Sequence, residues 1–307
     1  MHLTGTQVPV SILHGNTTKI IKYILTMNIL TFDIEEWFHL LDNESTKGEV
    51  QWVNYESRIH NNVDRILDIL DRHDTKATFF CMGWIARKYP EVICKISEKY
   101  EIGSHTDMHQ LVYEQGEKAF REDVSSSIKL LEDISGKKVK YFRAPGFSIT
   151  ENEKWAFEVL IENGIEVDSS VFPAPRAHGG FPSYKSPKPS IIKYNAIELK
   201  ELPISYSTIL GKHIIFSGGG YFRLFPYPMI KYWSKNSDYI MSYLHPRDFD
   251  PEQPMIEELS KIRKFKSYVG LKSAEKKMDK WLSDFEFLDI QQADKLIDWS
   301  KVPVVSI

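Results

Sequence analysis

Apolar positions along the chain alternate between short unbroken runs and a spacing of three to four residues. The runs NILTFD (28–33), KATFFCM (76–82), EIGSH (101–105), YFRA (141–144), IEVD (165–168) and YIMSYLH (239–245) predict buried strands. Between them, Ile59, Val63, Ile66, Leu67 and Leu70 form a helical stripe within 57–72. Further helices are predicted over 84–100 (with Pro90 near a boundary), 117–135 and 154–163, the last two followed by Gly136 and Gly164 as C-terminal caps. ELKELPI (198–204) predicts one more strand, and residues 252–300 read as largely helical. Short strands alternating with helices are the pattern of a parallel sheet built from βαβ units. The Pro-, Gly- and Ser-rich stretch 172–190 predicts a long structured loop, of the kind that often walls a binding site.

Polar residues fall at telling places in this pattern. Asp33, His105, Arg143 and Asp168 each close a predicted strand, and the C-terminal strand ends of such a sheet converge on one face. Core packing does not account for four such residues in succession. In His105-Thr106-Asp107-Met108-His109, two histidines four apart share a face if the segment enters a helix, so both reach one metal ion. In the extended run Asp33-Ile34-Glu35-Glu36, Asp33 and Glu35 point the same way and can share that site. Two histidines and one carboxylate leave positions open for water, as in catalytic zinc centres, although such donors also suit other divalent metals. Arg143 can hold an aspartate by a charge-assisted pair, and His245 can serve as a general acid with Asp168 fixing its tautomer.

Composition narrows the classes. A net charge of −3 over 307 residues argues against nucleic-acid binding. Cys81 and Cys94 are the only cysteines and have no CxxC spacing, which argues against thiolate-ligated zinc and gives no indication of a disulfide scaffold. Residues 19–32 are apolar but interrupted by Lys19, Lys22, Thr26 and Asn28, too short and too polar to span a membrane, and no cleavage motif follows. A cytoplasmic protein with no integral membrane segment is the expectation, with residues 1–26 as an extension outside the fold.

Five motifs then appear in order: Thr31-Phe32-Asp33, His105 to His109, Arg143-Ala144-Pro145-Gly146, Asp168-Ser169-Ser170 and Tyr243-Leu244-His245. In this order they resemble the polysaccharide deacetylase family, carbohydrate esterases with the NodB homology domain. GGGYFRLFP (218–226) and YLHPRDFDPEQP (243–254) resemble its exosortase-associated subgroup in particular. The resemblance implies an α/β fold, a distorted (β/α)7-type barrel over 27–250, with a mostly helical segment at 251–307 packed on it. It implies Asp33 as general base, His105 and His109 as metal ligands, Arg143 as the group positioning Asp33, and His245, supported by Asp168, as general acid. It also implies that the Gly146 N–H takes the oxyanion position. The first motif departs from the family's adjacent aspartates, so Glu35 is assigned as the third ligand with Glu36 as the fallback.

The expected activity is divalent-metal (zinc) hydrolysis of N-acetyl groups on sugars of a cell-surface polysaccharide or its lipid-linked precursor. Trp37, Phe147 and Tyr221 are expected to contact the sugar. A cyclic amide or imide hydrolase on the same metal site and a silent saccharide-binding protein are the alternatives. Oligomeric state is left open, a homodimer included.

Overall fold

The computed structural model describes residues 26–176, 178–209 and 212–307, so the extension expected at 1–26 lies, apart from Thr26, outside the described residues. In chain order the strands are β1 (Met27–Ile29), β2 (Thr31–Ile34), β3 (Thr78–Cys81), β4 (Glu101–Ser104), β5 (Tyr141–Phe142), β6 (Val167–Asp168), β7 (Ser190–Tyr194), β8 (Ile197–Glu201), β9 (Ser207–Ile209), β10 (Lys212–Ile214), β11 (Tyr239–Met241) and β12 (Val304–Ser306). Among the described residues the main sheet runs β12-β7-β8-β6-β5-β4-β3-β2. Its pairings from β2 to β8 are all parallel, β7 and β8 form an antiparallel hairpin, and β12 joins β7 in parallel.

The first apolar run divides its hydrogen bonds between two neighbours. β1 pairs with β11, while β2 pairs with β3 and also bridges Leu244 through Phe32. Backbone bonds Asp33 N to Leu244 O and Leu244 N to Thr31 O carry the chain past β11 alongside β2. That places His245 next to the C-terminal end of β2. The result is the α/β architecture expected from the alternation of runs and stripes, with β2 to β5 buried along nearly their whole length.

The helix Ile59–Arg72 buries the whole expected stripe. Its N-terminus is closed by a distant residue: the Glu36 carboxylate accepts from the backbone N–H of Arg58 and Ile59 and from the Ser57 hydroxyl. The helix expected over 84–100 divides into Gly83–Lys88 and Pro90–Lys99. Tyr89, at φ −139°, precedes a proline whose ring disfavours helical geometry in the residue before it, and Pro90 opens the second helix. Helix Glu117–Ser135 ends as expected at Gly136 in the left-handed region, φ 66°.

The last segment is helical over Lys261–Tyr268, Leu271–Asp284 and Ile290–Leu296, but it also supplies β12, which the sequence pattern did not reveal. Only three residues long, β12 lacks the length over which alternation becomes legible. Among the described residues no helix is long and apolar enough to cross a membrane.

Candidate active site

The carboxyl ends of β2 and β4, together with the chain after β11, carry Asp33, His105 and His245 to one cavity of about 250 Å³, and the end of β5 sets Arg143 behind Asp33. Glu35, His39, Gly146, Phe147, Arg176, Arg247 and Asp248 contribute to its wall. Three layers of interaction fix these groups.

Arg143 is fully buried. Its Nη1 donates to Asp33 Oδ1 at 2.8 Å and to Thr31 Oγ1 at 2.7 Å, while Nη2 donates to Ser169 Oγ at 2.9 Å. The guanidinium lies 4.3 Å from the Phe80 ring centroid. A buried cation satisfied on so many sides holds its carboxylate partner in one orientation.

Glu35, His105 and His109 form the second group: one donor atom of each lies within 4.8 Å of the others, and all three residues are buried. His105 Nδ1 sits 2.7 Å from the Arg143 carbonyl oxygen. A carbonyl only accepts, so Nδ1 carries the hydrogen and Nε2 is left as the donor atom. Burial pushes the His105 imidazole down to about 4. His109 Nε2 is 2.9 Å from Glu35 Oε2. Burial alone would raise the Glu35 carboxyl, yet His109, with His245 and His105 beyond it, holds it well below the usual carboxylate range.

The route by which the two histidines meet differs from the helical one expected. Residues 105–109 form a turn, not a helix, with Thr106 at φ 63° and His109 at φ 55°. Asp123, on the helix Glu117–Ser135, accepts from the N–H of Asp107 and Met108 at 2.7 and 3.1 Å and pins the turn. Gly83 lies beneath it, where an added Cβ would come within 2.1 Å of Asp107 Oδ1.

His245 faces the metal-site group across the cavity. Its Nε2 is 3.2 Å from Glu35 Oε1 and 3.7 Å from Asp33 Oδ2, and its Nδ1 is 3.1 Å from Asp248 Oδ2. Burial opposes a charge on this ring, but Asp248, Glu35 and Asp33 outweigh it and raise the imidazole to about 9. Asp248 is tied in turn to Arg223 Nε at 2.8 Å. Burial would raise the Asp248 carboxyl, and Arg223 and His245 instead hold it at about 2. Gly219 leaves room for this pair, since a Cβ there would fall 2.0 Å from Asp248 Oδ2.

Several expectations are corrected. Asp168 does not support His245: its carboxylate accepts from Ser170 N at 3.1 Å and Ser170 Oγ at 2.6 Å. Asp168 also faces Glu201, whose carboxyl burial and the Asp168 charge push well above the ordinary range. The loop after β11 instead brings Asp248, three residues on, to His245. Glu36 stands outside the metal-site group because its carboxylate is spent on the helix at Ile59–Arg72. Trp37 is 3% exposed and donates through Nε1 to Glu56 O at 2.9 Å, packed edge-on to Phe38 and Tyr55 rather than lining the cavity. Tyr221 is 45% exposed and stacks on Phe225; its neighbour Gly220, not its ring, reaches the cavity wall. Phe147 does line the cavity, and Gly146 beside it adopts φ 60°.

His39, Asp248, Arg247 and Arg176 are cavity residues that sequence reasoning missed. Glu35 to His39 repeats the four-residue spacing of His105 to His109, a signal available in the sequence. His39 Nδ1 accepts from Glu36 N at 3.2 Å, and burial pushes this imidazole well below its ordinary value.

Glu35, His105 and His109 fit a divalent metal: two imidazoles and a carboxylate, buried, mutually close, with one ring's tautomer already set by a backbone carbonyl.

Residues 43–161 match the family model described as polysaccharide deacetylase, and residues 169–295 match a model described as a domain of unknown function (DUF3473). The chain is 31% identical over 127 residues to a peptidoglycan-N-acetylglucosamine deacetylase of Bacillus cereus, covering 41% of this chain and 46% of that protein. It is 35% identical over 83 residues to a chitooligosaccharide deacetylase of Azorhizobium caulinodans, covering 26% and 39%. The chain thus spans less than half the length of these curated relatives. A solved structure of a provisionally assigned polysaccharide deacetylase from Mycobacterium smegmatis superposes with a TM-score of 0.63 over 92% of this chain and 93% of that one, at 18% identity, a likeness of fold. By sequence, residues 43–161 carry the match to the polysaccharide deacetylase family, and the chain shares the fold of the Mycobacterium smegmatis structure.

Proposed function

We propose that the protein removes N-acetyl groups from acetamido sugars of a cell-surface polysaccharide or its lipid-linked precursor, with zinc as its resident ion. The observation that carries the reading is the convergence on one cavity of Glu35, His105, His109, His245 and Asp33, the last held by the buried Arg143. The names of the curated relatives support an N-acetylated sugar as substrate. The match over 169–295 is compatible with the exosortase-associated subgroup.

Glu35, His105 Nε2 and His109 would hold the ion, whose chemistry is to polarise the acetamide carbonyl and to acidify water. Asp33, oriented by Arg143, takes the proton of the water that adds to the carbonyl carbon. The negative charge that grows on the carbonyl oxygen meets the Gly146 N–H. His245, flanked by the carboxylates of Asp248, Glu35 and Asp33, holds a proton and passes it from Nε2 to the leaving nitrogen. The C–N bond breaks, and acetate and the free amino sugar leave. Phe147 offers a ring to the apolar face of the sugar.

The test is acetate release from N-acetylglucosamine oligomers by the zinc-loaded protein and by His105→Ala, beside a cyclic ureide. The expected result is release by the wild type and loss of about 1,000-fold or more in the variant. Turnover of the ureide alone would replace the sugar with a cyclic imide. Glycan binding with no turnover of either would make the protein a saccharide-binding one.

A further inference from the structure

The cavity holds more positive charge than the reaction uses. Arg223 is consumed by Asp248 and by the carbonyls of Val269 and Lys266. Arg247 is different. It stands two residues after His245, is 8% exposed, and lines the same cavity. Among the described residues its Nε and Nη2 have no hydrogen-bond partner and no carboxylate lies within 4.0 Å; the Tyr268 ring centroid is 5.8 Å away. Arg176 reaches the same cavity from a separate segment, the Pro- and Gly-rich loop. Its guanidinium is laid over Phe172 at 4.5 Å and Phe147 at 4.9 Å, and its Nη1 is buried without a partner. At the rim, Arg263 donates to the neutral carbonyls of Leu41 and Asp42, and Lys266 is exposed.

Burying a guanidinium without an anion or acceptors is strongly unfavourable, because the lost hydration is not replaced. Arg247, buried with two unpartnered nitrogens, and the unpartnered Nη1 of the half-buried Arg176 line one cavity from separate segments and together suit an anion. Planar, multi-donor guanidinium groups match the oxygens of a carboxylate or phosphate. We propose that Arg247 and Arg176 bind an anionic group, a carboxylate or a phosphate, carried by the sugar substrate close to its acetamido group. The inference rests on the reading of the cavity as a sugar deacetylase site and narrows its substrate to acidic saccharides.

The experiment measures equilibrium binding by calorimetry and acetate release for three probes. They are a neutral N-acetylglucosamine oligomer, an oligosaccharide alternating N-acetylglucosamine with glucuronate, and N-acetylglucosamine 1-phosphate. The wild type is expected to bind one acidic probe about 10- to 100-fold more tightly than the neutral one, a preference that declines with salt. The acidic probe that is preferred identifies carboxylate or phosphate as the group recognised. Arg247→Gln and Arg176→Gln should each abolish most of that preference, with Arg247→Lys recovering part of it. Equal affinity for neutral and acidic probes, or a preference untouched in both glutamine variants, overturns the proposal; the wild-type comparison decides even where a variant does not fold. Tight acidic binding without acetate release would retain the anion site and reject the deacetylase reading. Acetate release with no acidic preference would do the reverse.

Discussion

Arg143 and Asp33, 110 residues apart in sequence, meet at 2.8 Å with the guanidinium wholly buried. The pair joins the end of β5 to the end of β2, so the base of the proposed reaction is aimed by the middle of the sheet. An ion pair this deep contributes less by net attraction than by the cost of breaking it.

Arg143→Lys removes the fork that reaches Thr31, Asp33 and Ser169 together. We expect a stability loss of ~3 kcal/mol in urea titration and a fall in kcat of about 100-fold with KM little changed. A variant with wild-type kcat would show that Asp33 needs no such hold.

Glu35 and Glu36 are neighbours with separable tasks. Glu35→Ala should lose bound zinc by elemental mass spectrometry, as should His105→Ala and His109→Ala. Glu36→Ala should keep the metal and instead lose ~1 to 2 kcal/mol of stability, because Arg58 and Ile59 lose the acceptor of their N–H groups. Zinc retained in Glu35→Ala and lost in Glu36→Ala would reverse the assignment.

Asp248 gives a pH signature. Its carboxyl is held at about 2, against an ordinary value of 3.8. Between those values the unfolded chain binds the proton that the folded protein refuses, so this group's contribution is present above pH 4 and disappears as pH falls through 2. The lowered value corresponds to ~2 kcal/mol. The stability difference between wild type and Asp248→Asn should therefore shrink over that interval, measured by urea midpoints at successive pH values. Asp248→Asn should also lower the alkaline limb of the kcat profile, because His245 loses a carboxylate that favours its proton.

Asp168→Asn should leave that alkaline limb in place while altering stability, since Asp168 works with Ser170 and Glu201 rather than with His245. A shift equal to that of Asp248→Asn would restore Asp168 as the partner of His245.

Gly83→Ala tests the support beneath the histidine turn. A methyl group 2.1 Å from Asp107 Oδ1 cannot be accommodated without moving the turn that ends in His109. Zinc affinity should fall along with the melting temperature, and a variant with undiminished zinc affinity would mean that the turn shifts without disturbing His109.

The strands and the stripe of the first helix were legible because their signals are local: Ile59, Val63, Ile66, Leu67 and Leu70 recur at helical spacing and are all buried. The strand-end positions of Asp33, His105 and Arg143 were legible for the same reason, as was the pairing of Glu35 with Asp33 in an extended run. The partner of His245 was not, although Asp248 lies three residues away, because the choice between Asp248 and Asp168 depends on which loop folds over the strand ends. Gly219 decides it by leaving space for the Asp248 carboxylate. Trp37 reads as a sugar contact in sequence because an aromatic ring beside carboxylates looks the same there whether it faces a cavity or the core.

The sequence by itself determined the alternation of strands and helices, the face on which polar strand ends collect, and the residue types that can hold a metal and move protons. Tertiary structure alone decided that residues 105–109 converge through a turn at positive φ, that Glu36 caps a helix, and that Arg247 Nε and Nη2 and Arg176 Nη1 are buried with no hydrogen-bond partner among the described residues. The reason is physical: periodicity records what each segment buries, whereas the partner of a buried charge is set by distances between segments far apart in the chain.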